Sequence, residues 1–166
     1  SLYVDGVKVA ATYDPVSGTL TPTVALTPGA HALSYTVSDA AGNESQQSPA
    51  LSLTIDLTAP ATPAAPASYA DNVGSIQSST STAASTDDKT PGIRLGSLPV
   101  GATGAALYVD GIRVAFTFDP ATGTLTPTLP LADGPHSLRY SLTDDAGNES
   151  GQSPALQLAI DTAAPA

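Results

Sequence analysis

Residues 107–127 read LYVDGIRVAFTFDPATGTLTP, and residues 2–22 read LYVDGVKVAATYDPVSGTLTP. Two features of this stretch decide the fold. Leu107-Tyr108-Val109 and Val114-Ala115-Phe116-Thr117-Phe118 carry the period-two patterning of half-buried strands. Asp110-Gly111 between them is a hairpin signal, because both central positions of a type I′ turn need positive φ. Further on, His136-Ser137-Leu138-Arg139-Tyr140-Ser141-Leu142 alternates in the same way. In Leu156-Gln157-Leu158-Ala159-Ile160, the residues Leu156, Leu158 and Ile160 share one face. Reversals at Asp119-Pro120-Ala121-Thr122-Gly123, Ala132-Asp133-Gly134-Pro135 and Asp145-Ala146-Gly147-Asn148 separate the runs. No stretch sustains a helical period, and 15 Pro with 14 Gly would break most helices. The chain is predicted to be all-β.

The duplication extends well beyond the quoted stretch. Residues 2–61 return at 107–166 with an offset of 107 − 2 = 105 residues, and 38 of the 60 aligned positions are identical. A period near 105 residues is that of one immunoglobulin-like sandwich. The expected organisation is therefore a tandem of immunoglobulin-like β-sandwiches placed end to end. Residues 59–166 form a complete repeat, and residues 1–58 form the C-terminal half of another. That half would lack the strands corresponding to residues 59–106 and should be poorly stable unless the natural molecule supplies them. The junction Ile55-Asp56-Leu57-Thr58-Ala59-Pro60 is echoed by Ile160-Asp161-Thr162-Ala163-Ala164-Pro165. The prolines that follow, Pro63 and Pro66, should stiffen the connection and occupy an edge strand.

Composition narrows the function. A net charge of −10 argues against nucleic acid, which needs clustered Lys and Arg, and points towards a solvated surface or cations. Zero Cys removes disulfides, thiolate metal sites and cysteine nucleophiles, and suits an exported protein. No apolar run approaches the roughly 18–20 residues that span a bilayer, so no membrane insertion is expected. There is no Gly-x-Ser-x-Gly turn and no phosphate-cradling glycine loop, and the chain is not expected to be an enzyme.

Several local patterns together resemble the bacterial Ig-like repeats of giant type I-secreted adhesins of the RTX and biofilm-associated kind. They are Tyr-Val-Asp-Gly at 108–111, Leu-Ala-Asp-Gly-Pro-His-Ser-Leu at 131–138, Asp-Asp-Ala-Gly-Asn at 144–148 and Ile-Asp-Thr-Ala-Ala-Pro at 160–165. Asp71-Asn72-Val73-Gly74 followed by residues 85–91 fits the long first connection of such repeats. The resemblance implies an extracellular, cell-surface spacer that projects a distal binding tip. It also implies neighbouring repeats as partners and calcium as a stiffener of junctions.

Calcium takes about six to eight oxygen ligands, so the carboxylates are the candidates. Asp71, Asn72, Asp87 and Asp88 bracket a Ser- and Thr-rich segment, 75–85, and could converge there; the alternative is turn capping. Asp56 at the end of one repeat, with Asp144, Asp145 and Asn148 of the next, could bridge the junction. The alternative for Asp144 and Asn148 is a closed local turn. Asp39, Asn43 and Asp161 would serve other neighbours. Glu44 and Glu149 are expected to be solvated. Asp5, Asp110, Asp14 and Asp119 belong to turns. His31 and His136 read as structural residues at strand starts, without a partner for zinc or base chemistry. Tyr3, Tyr35, Tyr108 and Tyr140 should be core or rim aromatics. Two other functions stay open from sequence: a glycan- or protein-binding module, and a spacer in a secreted multidomain hydrolase.

Overall fold

The computed structural model describes residues 1–95, 98 and 100–164, so Pro165 and Ala166 of the exit motif lie outside the described residues. All described regular structure is β, and the chain divides into two units, Ser1–Leu57 and Thr58–Ala166.

In the first unit, β1 (Leu2–Val4), β2 (Val7–Val9), β5 (Gly29–Tyr35) and β6 (Leu51–Ile55) form an antiparallel sheet in the order β2-β1-β5-β6. The strands β3 (Ala11–Asp14) and β4 (Thr19–Pro22) form a separate hairpin. The second unit contains β7 (Ser68–Asp71), β8 (Ser78–Ser81), β9 (Ser85–Thr86), β10 (Gly92–Arg94), β11 (Gly104–Val109), β12 (Ile112–Val114), β13 (Phe116–Asp119), β14 (Thr124–Pro127), β15 (Gly134–Thr143) and β16 (Leu156–Ile160). These make two five-stranded sheets, β13-β14-β10-β7-β8 and β12-β11-β15-β16-β9. Tyr69, Ile93 and Leu125 from the first sheet meet Leu107, Val109, Leu138, Tyr140, Leu142, Leu158 and Ile160 from the second, all buried. This is the tandem immunoglobulin-like sandwich that the period implies.

The turn chemistry is as the sequence requires. Asp110 and Gly111 take φ of 51° and 81°, and Asp5 and Gly6 take 52° and 80°, which seats β11–β12 and β1–β2 on type I′ hairpins. Two expectations need correction. Residues 114–118 are not one strand: β12 pairs with β11 in one sheet, and β13 pairs with β14 in the other. The chain changes sheet at Ala115, whose carbonyl is taken by the Thr128 amide at 3.0 Å. The Ser- and Thr-rich segment 75–85 is also not one long loop. It holds β8 on β7 and leads into β9, which pairs in parallel with β16. Hydroxyl side chains tolerate such a solvated sheet edge, and Ser78 and Ser81 turn theirs back onto the Thr80 and Ala83 amides.

Candidate functional site

The strand ends of the second unit carry most of its acidic candidates. β7 finishes at Asp71, a turn through Gly74 at φ 73° returns the chain as β8, and β9 runs directly into Asp87 and Asp88. Asp71 Oδ2 accepts from the Thr86 hydroxyl at 2.7 Å, and the same hydroxyl accepts from the Asp88 amide at 3.1 Å. Asp88 is only 1% exposed; its Oδ1 accepts from the Thr90 amide (2.8 Å) and hydroxyl (3.2 Å), and its Oδ2 from the Asn72 amide (3.3 Å). Asn72 thus enters this network through its backbone. Asp87 is exposed, and its carboxylate lies against Gly74, where any Cβ would collide with it.

Of the first four expected ligands, Asp71 and Asp87 therefore share one polar pocket, lined also by Asp161, Ser85 and Thr86. Asp161 does not stand apart from this repeat's own loops: its amide donates to the Thr86 carbonyl, which brings it to this pocket. Every donor here is a hard oxygen, the type calcium takes and zinc does not need. Yet no three His, Cys, Asp or Glu side chains among the described residues are grouped closely enough to hold an ion. A calcium ion would have to draw Asp71, Asp87 and Asp161 together with carbonyls and water.

The second group is arranged otherwise. Asp144 Oδ1 accepts from the Asn148 amide at 2.8 Å and its Oδ2 from the Asn148 side-chain amide at 3.0 Å. Those bonds, the side-chain one foremost, hold the Asp144 carboxyl below its ordinary pKa. Asp39 and Asn43 repeat the arrangement at 2.9 Å in both bonds. This is the closed local turn, with Gly147 and Gly42 both at φ 88°. Asp145 is exposed in the second unit, and Asp56 is exposed in the first.

Glu149 is exposed, as expected, but it is not without partners. It accepts from the buried Ser141 hydroxyl and from the Tyr108 hydroxyl, and faces Arg113 Nη1 at 3.6 Å. The Ser141 bond, then the Tyr108 bond, pulls its pKa down. Glu44 holds Thr36, Tyr3 and Lys8 in the same manner.

The histidines have partners that sequence reasoning missed. His136 Nδ1 meets Asp110 Oδ2 at 2.7 Å, and Nε2 meets the Ala132 carbonyl at 2.9 Å. Asp110 Oδ1 also accepts from the Ser137 amide at 2.8 Å. In the first unit, His31 bridges Asp5 at 2.7 Å and the Thr27 carbonyl at 2.8 Å. A carboxylate on one ring nitrogen and a carbonyl on the other ask both nitrogens to donate, which is the imidazolium form. Such a ring has no lone pair left for a general base, so this Asp–His pair clamps a hairpin and does not form a dyad. The signal available in sequence was the repetition of Asp-Gly and Gly-x-His at the same separation in both copies.

A pH dependence follows. Burial works against charge on His136, but the Ala132 carbonyl and Asp110 outweigh it, and the pKa rises above 6.5. For His31 the Asp5 bond leads and the shift is again upward. Asp110 is held below its ordinary value, first by the Ser137 amide, and stays ionised across the window in which the histidine titrates. A raised histidine pKa stabilises the folded state below the unfolded value of about 6.5 and is lost as pH climbs through the folded value. The unfolding midpoint of the second unit should therefore fall between about pH 6 and about pH 8, and His136→Asn should flatten that fall. Denaturant titrations at a series of pH values check it; an unchanged slope in the variant would refute the clamp.

The family model described as "Bacterial Ig-like domain" matches residues 3–57 and 64–162. No curated protein matches the chain. Among solved structures, the chain is similar to SGBP-B of the Bacteroides ovatus mixed-linkage glucan utilization locus, in complex with a mixed-linkage heptasaccharide. Identity is 17% and the TM-score 0.25, over 95% of this chain and 36% of that one. The chain thus spans about a third of that protein's length, and the likeness is too slight to bear on fold or ligand. The two segments matched by the family model take in nearly all of both units, and the chain belongs to the bacterial Ig-like domain family.

Proposed function

We propose that this chain is an extender module of a bacterial surface adhesin, a non-catalytic extracellular spacer whose repeats project a distal binding tip. The observation that supports this reading most is how the two copies use their polar residues. His31 and His136, Glu44 and Glu149, and Asp39 and Asp144 each make the same structural bonds at equivalent positions. Residue types that could do chemistry are spent on holding turns, and the turns are duplicated; that is what a spacer requires.

Calcium is the proposed stiffener. It would neutralise the carboxylates at the Asp71, Asp87 and Asp161 pocket and order the β7–β8 turn; like charges held near one another repel less once a cation sits among them. Bridging through Asp56, Asp144, Asp145 and Asn148 would require Asp144 to give up its bonds to Asn148, so the Asp71 pocket is the preferred locus. The test uses three complete repeats, with thermal unfolding and small-angle scattering in millimolar calcium and then in excess chelator. A higher midpoint and a more extended profile with calcium, matched by neither magnesium nor salt and weakened by Asp87→Asn, are expected. Superimposable curves would remove calcium and leave an extender whose stiffness comes from proline.

A further inference from the structure

The outer face of the β12-β11-β15 sheet in the second unit carries a cross-strand row that neither the core nor the turns use. Arg113, Tyr108 and Arg139 stand opposite one another on the three strands. Their neighbours along the strands, Leu107, Val109 and Leu138, point the other way and are buried, so the row faces outward. Next to it on the same face come Ala106 and Ser141, which are too small to overhang the tyrosine. The Tyr108 and Ser141 hydroxyls both donate to Glu149 Oε1, which pins the phenol ring by its far end. Glu149 Oε2 faces Arg113 at 3.6 Å, and Arg139 Nη1 donates to the Ser153 carbonyl at 3.0 Å. Each guanidinium has five N–H donors, so these contacts position the two groups without exhausting them. The second unit has ten acidic side chains and four basic ones. This row sets two of the four basic groups against one carboxylate, a local positive balance on an acidic molecule.

We infer that this row binds an anionic glycan, a chain of sugars bearing carboxylates of the uronic acid type. A sugar carboxylate takes a fork of parallel hydrogen bonds from a guanidinium. The apolar C–H face of the same ring covers Tyr108, whose phenol is already held and loses little freedom on binding. Glu149 accepts from the sugar hydroxyls. That carboxylate is what favours a glycan over an acidic peptide. A run of Asp and Glu meets Glu149 mainly with like charge, whereas a uronate chain brings hydroxyl donors beside its carboxylates. Such a site is weak alone, and repetition along a tandem multiplies it against a polymeric ligand. The first unit keeps Tyr3, Lys8 and Glu44 at the equivalent positions but has Ser34 where Arg139 stands. Arg139 is therefore the side chain that sets the two faces apart, and the second unit's face is the tighter.

The test titrates the full 166-residue chain with a short oligogalacturonate and follows backbone amide shifts by NMR. Chelator is present throughout, so that calcium cannot bridge carboxylates. Amides of 106–113 and 137–141 should move, and affinity should fall as salt rises. Arg139→Ser, which copies Ser34 of the other unit, should keep the fold and weaken binding roughly tenfold. The methyl-esterified oligomer should bind the parent no better than the acid binds that variant. Arg113→Lys, the residue type of the first unit, should weaken binding by less, because lysine keeps the charge and loses only the fork. The inference is overturned if those amides do not move, if Arg139→Ser binds as the parent does, or if the methyl ester binds as tightly as the acid. Oligoglutamate that matches the sugar in affinity and displaces it would also overturn it, in favour of an acidic-peptide surface.

Discussion

Tyr69→Ala should destabilise the second unit by about 3–5 kcal/mol, a large share of the about 5–15 kcal/mol that holds a domain folded. Tyr69 is fully buried and is the largest of the fully buried side chains. It stands beside Ile93 in the β7–β10 pairing and belongs to the same cluster as Leu125, Tyr140 and Leu158. Removing the ring leaves a hole between two sheets, each fixed by its own hydrogen bonds and poorly able to collapse into it. The hydroxyl donates to the Ser85 carbonyl at 3.2 Å, so part of the loss could lie there. Tyr69→Phe separates the two, because it keeps the ring and should cost about 1 kcal/mol. Hydrogen exchange of β15 amides in rising denaturant reads the unfolding of this unit within the intact chain. Equal losses in the two variants would mean that the tyrosine acts through its hydroxyl and not its volume.

Tyr69 also shows where the sequence stops being legible. It lies in Ala67-Ser68-Tyr69-Ala70-Asp71, with small or polar neighbours, so no alternation marks it as core. The strands with a clear period were readable: Leu156, Leu158 and Ile160 face inward to differing degrees, and Leu138, Tyr140 and Leu142 are buried as their spacing requires. The hairpins were readable because an Asp-Gly pair states its backbone geometry. The switch at Ala115 was not, since alternation continues across it while the hydrogen-bonding partner changes. The strands β8 and β9 were hidden for a different reason. They consist of serines and threonines with no apolar residue to alternate, and pairing to β7 and β16 makes them strands.

The candidate site was legible in kind but not in grouping. Sequence could say that carboxylates cluster near 71–74 and 85–91. It could not say that Asp161, some 70 residues further on, is carried to Asp71 and Asp87 by the parallel pairing of β16 with β9. Nor could it separate Asp87 from its neighbour. Adjacent residues on an extended chain point to opposite sides, so Asp87 faces solvent and Asp88 faces the protein. The same long-range logic hid the clamp: Asp110 and His136 are 26 residues apart and meet only because β11 pairs with β15.

That division between Asp87 and Asp88 yields the second large effect. Asp88→Ala should cost about 2–4 kcal/mol, in calcium and in chelator alike, because three donors lose their acceptor at once. The Asn72 and Thr90 amides cannot turn to another partner without moving the backbone, and Asp88 is too deeply buried for water to replace its carboxylate without rearrangement. Asp88→Asn keeps one acceptor oxygen for Thr90 and should lose about 1 kcal/mol. Asp87→Asn is the contrasting change. Its carboxylate is solvated and rests on Gly74, so stability in chelator should stay within about 0.5 kcal/mol of the parent, while any gain from calcium shrinks. Denaturant midpoints of the three variants in both conditions form a small matrix. If Asp88→Ala loses stability only when calcium is present, Asp88 is a ligand and the hydrogen-bond account of it fails. If it loses stability in both and Asp87→Asn responds only to calcium, neighbouring aspartates do different work: one ties the β9 exit to the β7 turn, and the other receives the ion.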